Sequence, residues 1–199
     1  MLQTEASIPY SQHPPWEICE LSSAYRPKEL RVQWASNPWM QRQAHALRRE
    51  VFCGEQGLFG GDDVDDIDRV GVNMRLLVAL SCLAGEADEV VGTVRIHEAA
   101  PGLWWGSRLA VKSAWRTHRG LGTTLIRLAV SSANALGCET FLAHVQSQNV
   151  RLFERLHWAV RDDVTLHGLP HALMQADLRC YPPCETPYAG FVIADGSPS

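Results

Sequence analysis

The sequence lacks both the long apolar runs of a membrane protein and the excess of positive charge typical of general nucleic-acid binders. Its longest apolar run, Leu76–Leu80, falls far short of the roughly 20 residues that span a bilayer, and no basic-then-apolar leader opens the chain. The 18 lysines and arginines stand against 22 aspartates and glutamates, which gives a net charge of −4. We therefore expect a soluble, cytoplasmic protein with no membrane and no nucleic-acid partner.

Cysteines are scattered and do not form the dense framework of a small secreted protein. Several lie in apolar segments, where buried and reduced thiols are common. Cys180 and Cys184 flank Tyr-Pro-Pro, a spacing that allows a metal-binding pair but is more often a coincidence within a loop. We therefore expect no metal. The cysteines are Cys19, Cys53, Cys82, Cys138, Cys180 and Cys184.

A chain of 199 residues, 46% of them apolar, is long enough to bury the core of one domain with extensions. Residues 1–29 are rich in proline and poor in apolar residues, which predicts an N-terminal extension. Residues 30–180 are predicted to form the folded domain. The prolines and glycines of residues 181–199 predict a loose C-terminal tail.

The most informative stretch runs from Trp104 to Gly137 and predicts a strand, a basic turn and a helix. Leu109–Val111 is a short apolar run typical of a buried strand end. Beyond the turn, apolar residues follow the spacing of one helical face, and Gly137 comes where a left-handed cap is expected. Because free N–H groups and a positive dipole end meet the basic residues Arg116, His118 and Arg119 there, the turn predicts a site for phosphate-like anions. The helical apolar positions are Leu121, Leu125, Leu128, Ala129 and Leu136.

Two common phosphate motifs do not fit this turn. A Walker A loop needs a lysine where the chain has Thr123, and a dinucleotide fingerprint needs a third glycine where it has Leu125. A glycine-rich turn with solvated arginines remains the plain alternative.

Apolar periodicity over the rest of the chain predicts a mixed, mainly antiparallel sheet with helices on both faces. An acidic connection, Gly54–Val72, separates the first helix from the second strand. The predicted strands are Leu30–Ala35, Arg75–Ala84, Glu89–His97, Trp104–Val111, Thr140–Val145, Val160–His167 and His171–Leu178. The predicted helices are Trp39–Val51, Leu121–Leu136 and Asn149–His157.

Four blocks resemble the GNAT N-acetyltransferases over roughly residues 30 to 180, and they follow one another along the chain as they do in that family. Arg108–Val111, Trp115-Arg116 and Gly120–Gly122 resemble that family's acyl-CoA loop. Asn149 with Phe153–Trp158 resembles its next block, Ala46–Gly57 its first helix and loop, and Gly168–Met174 its last hairpin. The whole chain also resembles a subgroup of these enzymes that is associated with nitrogen starvation.

The resemblance implies an α/β GNAT fold in which strands 4 and 5 splay apart to hold acyl-CoA. It implies transfer of an acetyl or short acyl group from acetyl-CoA to a primary amine of a small acceptor, by direct attack in a ternary complex. A homodimer is left open. The residues that the resemblance assigns to the donor are Leu109, Ala110, Val111, Arg116, Arg119, Gly120, Leu121, Gly122, Thr123, Asn149 and Phe153.

Several residues depart from the family pattern. The turn lacks the first glycine and is one residue longer. Phe153 replaces the tyrosine that commonly protonates the departing thiolate, and a phenyl ring has no proton to give. Strand 4 carries no glutamate to serve as base, so the candidates are Glu98, His144 and His171, with His97 beside Glu98. His157 stands at the family's usual glycine position and is a candidate substitute for the missing acid, although packing or capping is the more frequent role of such a residue.

The residues predicted to bind the acceptor are Phe52, Asp65, Asp68 and Trp105. The two aspartates form either an acidic rim that faces the acceptor or part of a solvated loop. Arg48, Phe52, Asp65, Asp68 and Arg95 also resemble residues of the acyl-homoserine-lactone synthases, which use an S-adenosylmethionine acceptor. Their strand-4 glutamate falls here on Trp105, and this chain keeps a glycine loop that they tend to lack. A noncatalytic acyl-CoA sensor is the third interpretation.

Overall fold

The computed structural model describes residues 29–70, 73–83, 85–118 and 120–194. Residues 1–28, which make up nearly all of the predicted N-terminal extension, lie outside this range, as do residues 195–199. One mixed sheet has the strand order β6-β7-β5-β4-β3-β2-β1-β8. Its strands are β1 (Glu29–Trp34), β2 (Met74–Leu83), β3 (Glu86–Ala100), β4 (Leu103–Val111), β5 (Thr140–Gln146), β6 (Trp158–Leu166), β7 (Leu169–Ala176) and β8 (Phe191–Ala194).

Helices cover both faces of this sheet, as the apolar pattern predicts. Alternate residues of β2 separate the two cores, with Leu77 and Ala79 on the α3 side and Leu76, Val78 and Leu80 on the α1 side. The helices are α1 (Pro38–Arg49), α2 (Asp66–Val70), α3 (Leu121–Ala135) and α4 (Val150–Arg155).

Helix α1 begins and ends for identifiable reasons. Asn37 caps it by accepting a hydrogen bond from the Met40 N–H at 3.0 Å, and Pro38 occupies the first helical turn. The chain then continues as a wider, π-helical segment over Glu50–Glu55. Such a segment changes the direction of the side chains that follow it. It places Phe52 on the wall of the cleft described below.

All seven predicted strands are present, with ends shifted by at most three residues. Gly137 follows α3 with φ of +86°, so the predicted left-handed cap is confirmed. The predicted loose tail is wrong for residues 191–194. Phe191–Ala194 forms β8, which pairs antiparallel with β1, because a short run of aromatic and branched residues meets an unpaired strand edge there.

Among the described residues, no helix combines the length and the apolar character needed to cross a bilayer. No group of three or more His, Cys, Asp or Glu side chains in the same ranges is arranged to hold a metal ion. Cys180 and Cys184 are free thiols, as are the other cysteines of the described segments.

Candidate active site

A large cleft opens where two parallel strands part. Strands β4 and β5 pair only between Leu103–Gly106 and Thr140–Ala143. Beyond Gly106 the two strands separate, which confirms the predicted splay. The resulting cleft has a volume of about 1000 Å³ and reaches from the α1 side of the sheet to the N-terminus of α3.

A β-bulge shapes the β4 wall of the cleft. Thr93 lies opposite Ala110 and Arg95 opposite Ser107, so β4 contains one more residue than β3 across this interval. Arg108 absorbs the extra residue with φ of +55°, which is unusual for a residue with a side chain. Leu109, Ala110 and Val111 then line the cleft, where β5 no longer pairs with their backbone groups.

The N-terminus of α3 faces the same cleft. Gly120 adopts φ of +88°, and the first intrahelical bond runs from the Thr124 N–H to the Gly120 carbonyl at 2.8 Å. The N–H groups of residues 121–123 therefore precede the helical ladder, as at every helix start. A Cβ added at Gly122 would meet no atom within 4 Å, so there is room for a ligand beside the backbone. This geometry fits a phosphate group.

Two basic residues of the preceding turn have different surroundings. His118 lines the cleft, and its buried Nδ1 has no hydrogen-bond partner among the described residues. Arg116 donates from Nε to the Val111 carbonyl at 2.9 Å and forms an ion pair with Glu55 at the end of the π-helical segment. Arg119 lies outside the described residues.

The remaining residues assigned to the donor lie on the cleft wall. Asn149 and Phe153 line it from the segment that follows β5. Phe153 is 7% exposed and packs edge-on against Trp158, with ring centroids 5.1 Å apart. Leu121, Gly122 and Thr123 line the cleft from α3. The structure thus gathers every described residue that sequence resemblance assigns to the donor.

Three histidines and one tryptophan form the opposite part of the wall, which we call the histidine face. His97 lies opposite Trp105 in the β3–β4 pair. His144 pairs with Leu173, two residues from His171, so the two histidines are diagonal neighbours on one face. The rings of Trp105 and His144 are 5.0 Å apart. Trp104 points the other way into the core and is 2% exposed, as strand alternation predicts.

Partial desolvation lowers the pKa of two members of the histidine face, although the accessible surface leaves His144 exposed. Burial and then the charge of His171 lower the pKa of His144 below the usual histidine value. Burial and then the charge of Arg95 lower the pKa of His97. The His171 Nδ1 lies 2.9 Å from the Leu169 carbonyl, which fixes the ring if Nδ1 carries the proton.

Glu98 does not belong to this face. One of its oxygens accepts a hydrogen bond from the Asn73 side chain at 2.9 Å, and the other accepts from the Gly102 N–H at 3.1 Å. One oxygen therefore holds the β3–β4 turn and the other holds the residue before β2, and Glu98 is absent from the cleft wall. His157 is also outside the cleft and has φ of +62° directly after α4, which is the capping geometry that a glycine supplies elsewhere.

An arginine–aspartate network joins α1, β3 and β4 to α2 and to the connection before it. The guanidinium of Arg48 binds both oxygens of Asp68 at 2.8 and 2.7 Å and Asp63 at 2.8 Å. Arg48 and Asp63 have side-chain exposures of 0% and 1%. The six members of the network are Arg48, Arg95, Arg108, Asp63, Asp65 and Asp68.

Arg95 and Arg108 complete the network from the sheet. Arg95 binds the two oxygens of Asp65 at 2.6 and 2.8 Å, and Arg108 reaches Asp63 at 2.9 Å and Asp65 at 3.1 Å. Burial alone would raise the pKa of Asp68, but hydrogen bonds from Arg48 and the charges of Arg48 and Arg95 outweigh it and hold this pKa well below its usual range.

The structure therefore separates the four residues that the sequence places on the acceptor side. Phe52 and Trp105 line the cleft, whereas Asp65 and Asp68 are engaged in the network and are absent from the wall. The side-chain exposure is 3% for Asp68 and 34% for Asp65. Neither an acidic rim nor a solvated loop describes them.

Sequence reasoning missed several wall residues that come from distant segments. Phe59 and His167 pack together with ring centroids 4.8 Å apart, although one follows α1 and the other ends the β6–β7 hairpin. Gln146 donates a hydrogen bond to the Gln56 side chain at 3.2 Å. Phe59, His167 and Gln146 belong to no local motif, and so the sequence offered no signal for them. Gln56 lies in the Ala46–Gly57 block, but nothing in that block indicates its contact with Gln146.

Comparison with solved structures shows the same fold. A Lactobacillus plantarum protein, provisionally assigned as an N-acetyltransferase, matches with a TM-score of 0.63 at 24% identity, over 75% of this chain and 98% of that one. The CoA-dependent acyl-homoserine lactone synthase BjaI, solved with SAM and isopentyl-CoA, matches with 0.62 at 16% identity, over 75% and 84% of the two chains. An aminoglycoside 6′-N-acetyltransferase complexed with coenzyme A matches with 0.60 at 15%, over 74% and 96%.

Sequence comparison adds one assignment. No protein of curated function matches this sequence significantly. Residues 60–158 match the model of the Acetyltransferase (GNAT) family, and this segment contains β2 to β5, the bulge, the turn and α3. The chain therefore carries an acetyltransferase domain of the GNAT family within a sheet of the GNAT fold.

Proposed function

We propose that this protein transfers a short acyl group, acetyl in the first instance, from acyl-CoA to the primary amine of a small acceptor. The observation that carries the proposal is the cleft itself. It joins the free amides at the start of α3 to the histidine face through the gap between β4 and β5. A donor and an acceptor can thus meet without a covalent enzyme intermediate.

The donor would be held mainly by backbone groups. The amides of residues 121–123 and His118 suit its pyrophosphate, and the unpaired edge of Leu109–Val111 suits its amide-rich arm. An N–H group on this edge would polarise the thioester carbonyl. Arg116 could join them only by leaving its ion pair with Glu55. Arg119 stays part of the proposal on sequence grounds alone.

The chemical step needs a base and a proton donor. The amine nitrogen attacks the thioester carbonyl carbon, a C–N bond forms, and the C–S bond breaks as the tetrahedral intermediate collapses. The nitrogen loses a proton to a base of the histidine face, and the departing thiolate takes a proton from solvent. A thiol titrates near ~8.5, so its thiolate leaves without a dedicated acid. Phe153 therefore does not prevent the reaction.

His144 is our proposed general base. It lies on β5 at the first position beyond the last β4–β5 pair, and its lowered pKa keeps the ring neutral and able to accept a proton at neutral pH. His171 lies next to it on the same face and is the second candidate. Glu98 is less suited, because both of its oxygens are engaged.

An assay of CoA release from acetyl-CoA with a panel of amines tests this function. We expect transfer whose kcat/KM falls at a pH below the ~6.5 of an unperturbed histidine, because the pKa of His144 is lowered and the ring becomes protonated only there. His144→Gln should lower kcat by roughly 10²-fold or more and remove this acid limb. His157→Gln, outside the cleft, is the matched control and should behave as the unsubstituted protein. Binding of acetyl-CoA without transfer to any amine would instead identify a sensor.

The acyl-homoserine-lactone-synthase-like alternative has one observation in its favour. Four of the five residues on which that resemblance rests, Arg48, Asp65, Asp68 and Arg95, form one network, and the fifth, Phe52, lies at its edge below the Arg108 guanidinium. Trp105 occupies the place of the strand-4 glutamate. Turnover with S-adenosylmethionine as the acceptor would favour this alternative over an ordinary amine.

The narrower resemblance to the nitrogen-starvation subgroup is part of the proposal. Measurement of the transcript level in nitrogen-replete and nitrogen-limited cells would test it, because the transcript of a member of that subgroup should increase when nitrogen is limiting.

A further inference from the structure

The wall of the cleft carries no carboxylate among the residues that the structure describes. Its charged members are Arg95, Arg108 and Arg116, and the rest are apolar, aromatic, amide, hydroxyl or histidine side chains. The nearby aspartates do not change this balance, because the three aspartates of the network are matched by its three arginines. A cation that entered the cleft would lose water without gaining a counter-charge.

Among the described residues, Arg108 is the arginine of the network that keeps a donor atom available to a ligand. Its Nε and Nη2 bind Asp63 and Asp65. Its Nη1 makes no hydrogen bond to the described residues. Arg108 lines the cleft, and its side chain is not fully buried.

Two aromatic rings hold the Arg108 guanidinium in place. Its central carbon lies 4.7 Å from the ring centroid of Phe59 and 6.0 Å from that of Phe52. The side chain is 18% exposed, and the bulge at the same residue fixes its backbone. A guanidinium fixed by rings and aspartates presents its free edge with little loss of entropy, which suits a planar anion such as a carboxylate.

We propose that the acceptor is an amine that also carries a carboxylate, held by Nη1 of Arg108, and that the rest of the molecule is apolar. An α-amino acid with an apolar side chain has this chemistry. The apolar part would contact Phe52, Leu58, Phe59, Ile67 and Leu166, which line the acceptor side of the cleft. This inference rests on the proposed N-acyltransferase function, because it names the acceptor class of the same site.

The test compares ligands that differ only in the carboxylate. L-Phenylalanine and L-leucine are titrated by calorimetry into protein saturated with CoA, beside L-phenylalaninamide, L-leucinamide and spermidine. Saturation with CoA prevents the ligands from binding in the donor site. Each acid should bind about 10- to 100-fold more tightly than its amide, the gain expected from a charge-assisted hydrogen bond in a partly buried site. Spermidine should bind most weakly.

Equal binding of acid and amide, including no detectable binding of either, would overturn the inference, as would a preference for spermidine. This result is distinct from failure of the proposed function, which would appear as absence of acyl transfer even when acid and amide are discriminated.

Substitution of Arg108 tests whether this residue causes the preference for acid over amide. In Arg108→Gln the preference for acid over amide should disappear, whereas Arg75→Gln should keep it. Arg75 is a suitable control because its guanidinium also stacks on a ring, that of Trp34, away from the cleft. A folded Arg108→Gln protein that retains the preference would contradict the assignment. If that variant fails to fold, the comparison of acids with amides in the unsubstituted protein still decides the proposal.

Discussion

At the scale of single residues, Asp68 holds two buried guanidinium groups at once. Asp68→Asn removes the charge that pairs with Arg48 and Arg95, and we expect this to lower the free energy of unfolding by about 3–5 kcal/mol. Asp66→Asn on the same helix should have little effect, because Asp66 is 93% exposed and its pair with Arg69 is 3.6 Å long. Urea denaturation of both variants measures the difference.

Equal free energies of unfolding for Asp68→Asn and Asp66→Asn would show that an amide at residue 68 replaces the carboxylate without loss of stability. A stability loss would also change how acceptor kinetics are interpreted. A raised Michaelis constant in a variant of Asp65 or Asp68 would then reflect disturbance of Arg108 and not loss of a direct contact with the acceptor.

Phe153 is the second residue for which the structure predicts a measurable effect of substitution. Phe153→Ala should destabilise the protein by about 3–5 kcal/mol, since the ring is 7% exposed and packs on Trp158. It should also weaken acyl-CoA binding, because the ring lines the cleft. Phe153→Tyr should remain active and bind acyl-CoA normally. Calorimetry and steady-state kinetics on both variants provide the test.

The outcome that would contradict this placement is a Phe153→Ala protein with unchanged acyl-CoA affinity and unchanged turnover. The ring would then lie away from the thioester, and the position of α4 relative to the donor would need revision.

At the scale of elements, β8 depends on one glycine. A Cβ at Gly190 would lie 1.9 Å from the Val32 carbonyl oxygen, and its φ of +60° is unfavourable for other residues. Gly190→Ala should therefore detach β8 from β1 or cost about 1–3 kcal/mol in strain. Hydrogen exchange of the β1 amides should accelerate. Gly60→Ala is the control, because a Cβ there would meet no atom within 4 Å. Unchanged protection of β1 in Gly190→Ala would contradict the close approach.

The sequence predicted the elements far better than it predicted their partners. The strand, turn and helix from Leu109 to Gly137 follow from local periodicity and glycine placement, which act within a few residues. The Arg108–Asp63 pair joins residues 45 positions apart, and no local rule selects it. The same limit applies to β8, which is stable only as a partner of β1. The capping role of His157, in contrast, could be predicted locally, because the residue stands at the family's usual glycine position just after a short helix.

At the scale of the whole molecule, several lowered pKa values predict how stability depends on pH. Burial lowers the pKa of His45, His97 and His144. The unfolded chain therefore binds protons first as the pH falls below about 6.5, and stability decreases there. Asp65 and Asp68, whose pKa values are also lowered, add a second loss below about pH 4. Thermal melting at constant ionic strength should show both steps.

The upper step can be assigned by substitution. His97→Gln combined with His144→Gln should flatten the melting temperature between neutral pH and about pH 5, since the remaining contribution is that of His45. A melting temperature that is already constant over this interval in the unsubstituted protein would show that these rings titrate alike in the folded and unfolded chain.

The pairing of β8 with β1 has a consequence for how the protein can be shortened. Arg31 and Val32 of β1 pair with Val192 and Phe191, so removal of the chain after residue 190 would leave residues 29–32 of β1 without partners on that side. Exposed strand edges recruit other chains by the same backbone pairing that β8 now provides. A protein cut there should assemble in a concentration-dependent way through β1, whereas the full chain ends the sheet with the four-residue β8, and so short an edge strand is a poorer template for pairing.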